Sequence, residues 1–218
     1  MNAVTAIVSC LESSLHRITT GLKLPLAPGV IRIVQSGYAL LSHPYPHAQG
    51  KGTPMPLGIL GAGMAFGYEP MHITAYALQD FEFWQVPRDN LRDADCCSQQ
   101  VVQALLRRAE WDHRMICLLQ YPLASQRLMG LLLLLGDFYG KPDGSTIQLF
   151  PKLTHRVLAQ LIGHSRTAVT RLLGRLSGQG LIEVREGSIY LLNPALLRWM
   201  VQGENGTLKE VGGSAAPL

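Results

Sequence analysis

Residues 153–192 constrain the fold most, because two short helical patterns in this segment are followed by a strand pattern. The first pattern ends at Gly163, and its apolar positions recur at helical spacing: Leu153, Val157, Leu158 and Leu161. The second begins after Ser165, a predicted N-cap, and has one apolar face: Val169, Leu172, Leu173 and Leu176. Two such helices joined by a short Gly-containing turn predict a helix-turn-helix, whose second helix can enter the major groove of DNA.

The residues that follow predict a β-hairpin. Residues 182–184 and 188–191 alternate in hydropathy on either side of Arg185-Glu186-Gly187. A hairpin placed directly after the two helices makes the predicted unit a winged helix-turn-helix.

These residues resemble a known family. The run IGHSRTAVTRLLGRLSGQGLIEV, residues 162–184, is similar to the DNA-binding domain of the cyclic-AMP receptor/FNR family of bacterial regulators. Its AVTRLLG segment is most like the cyanobacterial global nitrogen-control branch. The likeness extends upstream through SQRLMGLLLLLGDFYGKPDGSTIQLFPKLTHRVLAQLIG and covers residues 121–194. It implies a transcription regulator that binds DNA as a homodimer.

The charge distribution agrees with a nucleic-acid partner. Residues 1–150 contain 11 Lys and Arg against 11 Asp and Glu, whereas residues 151–200 contain 7 against 2. The excess positive charge therefore lies on the predicted helix-turn-helix, as expected for a module that binds a polyanion. A solvated basic face is the alternative explanation for the charge alone.

Composition indicates a cytoplasmic protein with a core. The 218 residues are 47% hydrophobic, which is enough to bury a sizeable interior. The four cysteines, Cys10, Cys96, Cys97 and Cys117, have neither zinc-site spacing nor a disulfide-scaffold pattern, so we expect reduced thiols and no metal. Residues 1–22 lack a signal-peptide core, and the apolar run 128–135 is too short to span a bilayer.

The N-terminal half has a different pattern from the C-terminal half. Residues 4–18 have apolar positions at helical spacing and predict an amphipathic helix. Five apolar runs, separated by Gly and Pro, then predict a small antiparallel, jelly-roll-like β-roll: residues 30–34, 38–41, 57–60, 75–78 and 81–86. In the family, this position holds the roll that binds the effector. The predicted fold class is thus α+β.

The sequence departs from the family where a cyclic nucleotide would bind. Family members that bind one have a phosphate cassette with a Gly-Glu pair and an Arg after a Phe-Gly corner. Here Phe66-Gly67 is followed by Tyr68-Glu69-Pro70-Met71-His72-Ile73, without an Arg. A cationic or amide-rich cradle for 2-oxoglutarate, the effector of the nitrogen-control branch, is not recognisable either. The resemblance therefore implies a degenerate effector domain, with no cofactor.

Three other patterns could indicate different chemistry. The Gly-rich residues 61–67 follow an apolar run, as in a dinucleotide-binding enzyme, but Pro70 would truncate the required helix. His43 and His47 flank prolines in what reads as an exposed loop. Cys96-Cys97 could sense redox state, although the N-terminal cysteine cluster of iron–sulfur family members is missing. No nucleophile with a base is recognisable, so we predict that the chain is not an enzyme.

Residues 98–120 predict one long helix that ends at Pro122. Apolar residues fall near the core positions of a heptad, and Asp112 interrupts the series: Val102, Leu105, Ala109, Ile116 and Leu119. The helix could pack only on its own domain. In the family, however, the corresponding helix pairs with its copy, so we predict a symmetric dimer along these five residues.

The predicted domains are a degenerate cyclic-nucleotide-binding-like roll at 1–97, a dimerisation helix at 98–122, the winged helix-turn-helix at 123–202 and a disordered tail at 203–218. Within the third, residues 128–135 should form a buried helix capped by Gly140, and residues 146–150 a strand.

The resemblance places Arg166 and Arg171 on the groove-facing side of the recognition helix, with Arg171 reading a guanine and Arg166 contacting a base or a phosphate. Many family members have a Glu where this chain has Thr167, so a different half-site is expected. Thr170 contacts a thymine methyl or a phosphate. Further phosphate-contact candidates are Ser165, Thr154, His155, Arg156, Arg175 and Arg185. Arg175 and Arg185 could equally be ordinary exposed charges.

The sequence thus predicts a homodimeric, sequence-specific DNA-binding regulator that reads an inverted repeat and is not controlled by a cyclic nucleotide. Its partners would be double-stranded DNA, a second copy, and RNA polymerase or a regulatory protein, but not a membrane. The alternative is a sensor of a small molecule such as 2-oxoglutarate or a nucleotide, or an enzyme-like domain in the roll, with DNA binding as its output.

Overall fold

The computed structural model describes residues 15–24, 29–43, 55–68, 73–87 and 96–202. These residues fall into two units, one ending at Cys117 and the other beginning at Leu118. Each unit has its own sheets and core.

The described residues of the first unit form seven strands in two antiparallel sheets. Their bounds are β1 Leu15–Ile18, β2 Val30–Ser36, β3 Ala39–His43, β4 Met55–Leu60, β5 Ala65–Phe66, β6 Thr74–Ala77 and β7 Phe81–Pro87. One sheet has the order β1-β7-β2-β5 and the other β4-β3-β6. Between β2 and β3 the chain passes from one sheet to the other at Gly37, which has a φ of 85°. An added Cβ at Gly37 would lie 2.2 Å from the Asp80 carbonyl oxygen, so only glycine fits this turn.

Apolar side chains fill the interior of the roll. Phe66 lies edge-on to Phe81 and Phe83, with ring centroids 5.7 and 5.3 Å away. The same cluster includes the buried side chains Leu24, Val34, Leu41, Leu60, Ile73 and several alanines. The predicted strand runs are confirmed, because their alternate residues supply this core.

The predicted amphipathic helix at residues 4–18 is wrong at its C-terminal end. Leu15–Ile18 is an edge strand that pairs with β7, in the register Leu15 to Trp84 and Ile18 to Phe81. Ile18 packs against the core of the roll, whereas Leu15 is exposed. The three-residue interval between two apolar residues is compatible with a helix, but pairing with a distant strand decided the structure. Residues 1–14 of that prediction lie outside the described part of the chain.

The Gly-rich segment after β4 is a turn between strands. Gly63 has a φ of 78°, and the chain enters β5 two residues later. The segment therefore lacks the following helix that a dinucleotide-binding fingerprint requires.

One long helix, α1 at Cys96–Leu119, follows the roll. Val101 and Ala104 on its inner face pack with Ile31, Ile33 and Val86 of the sheet. Further along the helix, the Trp111 Nε1 atom lies 3.0 Å from the Cβ that a larger residue would have at Gly58, so the helix and β4 approach closely there.

The second unit contains four helices and one sheet. Their bounds are α2 Ala124–Tyr139, β8 Lys141–Asp143, β9 Thr146–Gln148, α3 His155–Leu161, α4 Arg166–Gly178, β10 Ile182–Arg185, β11 Ser188–Leu191 and α5 Pro194–Gln202. The sheet has the order β10-β11-β9-β8. The apolar run predicted as a helix lies buried in α2, and Gly140 caps that helix by donating its N–H to the Gly136 carbonyl. The predicted tail, residues 203–218, lies outside the described residues.

Candidate nucleic-acid interface

Helices α3 and α4 are each capped at the N-terminus by a hydroxyl side chain, of which only that of Ser165 was predicted as a cap. The Thr154 hydroxyl accepts a hydrogen bond from the Val157 N–H, and the Ser165 hydroxyl accepts one from the Ala168 N–H at 3.2 Å. Each hydroxyl satisfies an amide at a helix end that has no partner within the helix. These two candidate phosphate-contact residues therefore also serve as N-caps, and both are exposed.

The turn between the two helices depends on Gly163. Its φ is 66°, in the left-handed region that favours glycine. The next residue, His164, donates its N–H to the Ala159 carbonyl at 2.8 Å, and the following Ser165 is the N-cap of the second helix. The predicted helix-turn-helix is therefore present.

Helix α4 has two sharply different faces. Its inner face is buried in the unit and consists of Ala168, Val169, Leu172, Leu173 and Leu176. Its outer face is exposed and consists of Arg166, Thr167, Thr170, Arg171, Gly174 and Arg175. The helix contains no Asp or Glu. The outer face thus combines three guanidinium groups with small side chains, and an added Cβ at Gly174 would meet nothing within 4 Å.

A side-chain hydrogen bond joins the outer faces of the two helices. His155 Nδ1 lies 2.9 Å from Thr170 Oγ1, and the Thr170 hydroxyl donates to the Arg166 carbonyl at 3.0 Å. His155 is half-buried. Two residues that the sequence suggested as separate DNA contacts are therefore bonded to each other, and Thr170 is exposed on α4.

The hairpin β10-β11 carries Arg185 at its exposed end. The Arg185 guanidinium lies 2.5 Å from a Glu183 carboxylate oxygen and 4.9 Å from the centroid of the Tyr190 ring. This hydrogen bond lowers the pKa of Glu183 and raises the pKa of Arg185. The turn itself has two consecutive residues with positive φ, Glu186 at 49° and Gly187 at 75°, as in type I′ hairpins.

A cleft of about 290 Å³ lies between this hairpin and the start of α3. Lys152 and Thr154 line it on one side, and Val184 and Gly187 line it on the other. The Lys152 ammonium donates to the Glu186 carbonyl at 3.2 Å. The exposed Arg156 follows in the first turn of α3, so the basic residues around the cleft face solvent.

The predicted dimer residues divide into two groups. Val102 and Ile116 are exposed by 50% and 61%, and Ala109 between them is also exposed. Leu105 and Leu119 are only half-exposed, and Leu105 packs against the cluster under α1. Asp112, which interrupts the heptad, accepts a hydrogen bond from the buried Arg108 at 2.9 Å.

One apolar residue of this surface did not stand out in the sequence. Leu106 is 58% exposed, and it lies between Val102 and Ala109 on the outer face of α1. We call the residues Val102, Leu106, Ala109, His113 and Ile116 the outer stripe; all five are exposed. The heptad assignment missed Leu106 because the sequence does not reveal which side of the helix the roll covers.

The sequence also missed a cavity of about 660 Å³ in the first unit, between β2, the turn at Gly63 and α1. Its polar lining is mainly side-chain amides, with one cation and one anion: Gln35, Gln99, Gln100, Gln103, Arg107 and Glu110. The sequence showed no amide-rich cradle because Gln35 lies 64 positions before Gln99, and only the fold packs β2 against α1.

The remaining candidates do not converge within the described residues. The part of the chain that is described contains no group of three His, Cys, Asp or Glu side chains that could hold a metal ion. His47 and the side chains of Cys96 and Cys97 lie outside it. None of the described helices is both long and apolar enough to cross a bilayer.

The geometry described so far is that of a helix-turn-helix domain, and comparison with known families agrees. Residues 126–200 match the model of the Crp-like helix-turn-helix domain. The resemblance to the cyclic-AMP receptor/FNR family is confirmed.

Two curated regulators are similar in sequence to this chain. The chain is 38% identical over 135 residues to the global nitrogen regulator of Synechococcus elongatus, a match that covers 61% of this chain and 57% of that protein. It is 27% identical over 188 residues to the regulatory protein CysR of the same organism, covering 84% and 86%. The match thus spans little more than half of the nitrogen regulator.

Solved structures confirm the fold class. The transcriptional regulator TTHA1359 of Thermus thermophilus, of the CRP/FNR family, has a TM-score of 0.66 and 23% identity, covering 85% of this chain and 96% of that one. A CooA mutant from Carboxydothermus hydrogenoformans has a TM-score of 0.70 and 20% identity, covering 87% and 88%. The α+β architecture, with antiparallel sheets before a C-terminal helix-turn-helix, is the one predicted.

Proposed function

We propose that the chain is a sequence-specific DNA-binding transcription regulator that acts as a homodimer on an inverted repeat. The observation that carries this proposal is the outer face of α4. It presents three exposed arginines and no acidic residue, on a helix that is capped at its N-terminus and anchored by an apolar inner face. Such a face matches the negative potential and donor–acceptor pattern of a major groove.

The outer-face residues divide by the contacts that their chemistry allows. Arg171, in the middle of the face, donates two hydrogen bonds to guanine O6 and N7, and Arg166 contacts a base or a phosphate. The methyl group of the exposed residue Thr170 packs on a thymine methyl, since the Thr170 hydroxyl already bonds within the protein. An acidic residue at position 167 would favour a cytosine in the half-site. Thr167 has no charge, so the half-site does not have this preference.

The flanking residues hold the DNA backbone without choosing a sequence. We assign Thr154, Ser165 and Arg156 to the phosphates on one side of α4. Arg175 contacts the phosphates at its C-terminal end, and Arg185 brings the hairpin to the backbone as a wing. His155 supports Thr170 and adds a donor near the phosphates.

We propose that the dimer forms along α1. Val102, Ala109 and Ile116 lie at the centre of the surface, Leu106 adds to it, and Leu105 and Leu119 border it. Exposed apolar residues that recur along one helix face would remove their surface from water by pairing with a second copy. A two-fold axis between the helices would place two copies of α4 about 34 Å apart, one turn of DNA.

We further propose that cyclic nucleotide does not control the protein. The roll interior is packed with apolar side chains around Phe66, Phe81 and Phe83, which would have to move to admit a charged phosphate. RNA polymerase or a regulatory protein is the partner through which such a regulator would act.

A second candidate function, sensing of a small polar molecule, is favoured by the amide-rich cavity in the first unit. Its volume lies within the range of small-molecule sites, and its amides offer both donors and acceptors. Thermal unfolding with cyclic nucleotides, 2-oxoglutarate and nicotinamide dinucleotides tests it, because a ligand at a hundred times its Kd adds about 2.7 kcal/mol. No shift with any of these compounds would reject these ligands.

Selection of bound sites from random duplex DNA tests the main proposal. We expect an enriched inverted repeat whose half-sites are one helical turn apart and contain a guanine. Enrichment of a single asymmetric site would contradict the dimer, and no enrichment over random DNA would contradict sequence-specific binding.

A further inference from the structure

His113 and Cys117 lie one turn apart on the exposed side of α1, and their polar atoms are in contact. The Cys117 Sγ atom is 3.6 Å from the His113 Nε2 atom. Cys117 is a free, exposed thiol. The DNA-binding function proposed above uses neither side chain.

The separation of these two atoms matches one edge of a tetrahedral metal site. In such sites zinc lies about 2.3 Å from a Cys sulfur and about 2.0 to 2.1 Å from a His nitrogen. With these bond lengths and a tetrahedral angle of about 109°, the sulfur and the nitrogen are about 3.5 to 3.6 Å apart. The pair could therefore bind one ion without moving either donor atom far.

One chain supplies only half of the ligands that such an ion needs. No third ligand joins the pair among the described residues. His113 belongs to the outer stripe, whose members recur at alternating intervals of four and three residues, the spacing of a helix that pairs with another helix. We take the two copies of α1 to run parallel and in register about the two-fold axis of the proposed dimer. His113 would then face its copy.

We propose that two chains share one zinc-like divalent ion, bound by His113 and Cys117 of each copy. This inference rests on the homodimer proposed above. The thiols lose their protons when the ion binds, and the four donors form a His2Cys2 set of the kind that structural zinc sites use. The ion cross-links the helices along the outer stripe and thereby couples metal supply to dimer stability and to DNA affinity.

Cobalt(II) titration of the full chain tests the site, because cobalt replaces zinc and absorbs visibly when thiolates bind it in a tetrahedral site. With a phosphine reductant present, we expect a thiolate-to-cobalt band that saturates at one ion per two chains and disappears on addition of zinc. His113→Ala and Cys117→Ser should each abolish the band. His164→Ala, which removes another exposed histidine, and a triple Cys10→Ser, Cys96→Ser, Cys97→Ser variant should retain it.

Light scattering in chelator separates this proposal from the one on which it rests. If the chain is dimeric in chelator but shows no thiolate-to-cobalt band, the shared site is overturned and the dimer stays intact. The same conclusion follows if the band persists in His113→Ala or if the chain binds one ion per chain. A chain that is monomeric both in chelator and with saturating cobalt would overturn the dimer itself.

Discussion

The Nδ1 atom of His155 lies 2.9 Å from the Oγ1 atom of Thr170, so a side chain at the start of α3 is bonded to the middle of α4. The Thr170 hydroxyl donates in turn to the Arg166 carbonyl, within α4. This chain of hydrogen bonds connects the two helices on their outer side, opposite the apolar contacts of Val169 and Leu173. The angle between the helices is therefore restrained from both sides.

Removing either partner of the hydrogen bond between His155 and Thr170 should lower the free energy of unfolding, and the two effects should not be additive. We expect His155→Ala and Thr170→Val each to lower the free energy of unfolding by about 0.5 to 1.5 kcal/mol, because each removes the same hydrogen bond. The double variant should cost less than the sum by about 0.5 kcal/mol or more. Urea unfolding of the four proteins measures this coupling. The control pair, His155→Ala with Arg175→Ala, should give additive losses. Strictly additive losses for His155→Ala with Thr170→Val would show that this hydrogen bond contributes nothing to stability.

Truncation of Arg171 should reduce both the affinity and the selectivity for DNA. Arg171→Ala is expected to weaken binding to the selected duplex by about 1 to 3 kcal/mol and to abolish discrimination at one base pair, since a bidentate contact to guanine is lost. Fluorescence anisotropy with the selected duplex and a single-base-pair variant measures both effects. Arg17→Ala, an exposed arginine of the roll, is the control and should change neither. Equal weakening on the two duplexes would assign Arg171 to a phosphate.

Arg156 should behave differently from Arg171. We expect Arg156→Ala to weaken all duplexes alike and to reduce the slope of log affinity against log salt by about 1, because one fewer phosphate is neutralised. Titrations at several salt concentrations check this expectation. An unchanged slope would remove Arg156 from the phosphate contacts.

A charge within the outer stripe should separate the dimer. Ile116→Asp places a carboxylate where the two helices would meet, so we expect monomers in light scattering and a loss of about a hundredfold or more in apparent DNA affinity, because two half-sites are no longer bound together. Leu22→Asp is the matched control, since Leu22 is 56% exposed on the roll. A dimer that survives Ile116→Asp in chelator, where no ion can cross-link the helices, would mean that the chains pair elsewhere.

Much of the second unit could be predicted from sequence because its signals are local. Ser165 caps α4 three residues before the amide that it satisfies, and the apolar face of α4 repeats within the helix itself. The hairpin turn at Glu186 and Gly187 is likewise set by two adjacent residues. Such features depend on residues that are close together in the sequence.

The features that sequence missed depend on distant partners. Leu15 belongs to a strand because it pairs with Trp84, and the helical spacing around it could not reveal that partner. Leu106 is exposed because the roll covers the opposite side of α1, where Val101 and Ala104 pack. The bond between His155 and Thr170 links positions that were predicted separately as DNA contacts.

Two glycines of the helix-turn-helix should respond oppositely to alanine. An added Cβ meets nothing within 4 Å at either Gly163 or Gly174. Gly174 lies inside α4, so Gly174→Ala should raise the free energy of unfolding by about 0.5 to 1 kcal/mol. Gly163 has a φ of 66°, so Gly163→Ala should lower it by about 1 kcal/mol through backbone strain. Thermal and urea unfolding check both signs, and a shift in the same direction would contradict these conformations.

The ion pair of Arg17 with Glu82 should make the stability of the roll depend on pH. The hydrogen bond from the Arg17 guanidinium, and then that from the Ser36 hydroxyl, lower the pKa of Glu82 below its ordinary value. A lowered pKa in the folded state means that the unfolded chain binds more protons, so the contribution of Glu82 is present above the unfolded pKa of about 4.3 and is lost as the pH falls through the folded value. Wild type should therefore exceed Glu82→Gln in stability at neutral pH, and the difference should shrink to nothing in acid. Urea unfolding of both proteins from neutral pH downward measures this difference, and Arg17→Ala should flatten it. A difference that is constant with pH would show that the carboxylate charge plays no part.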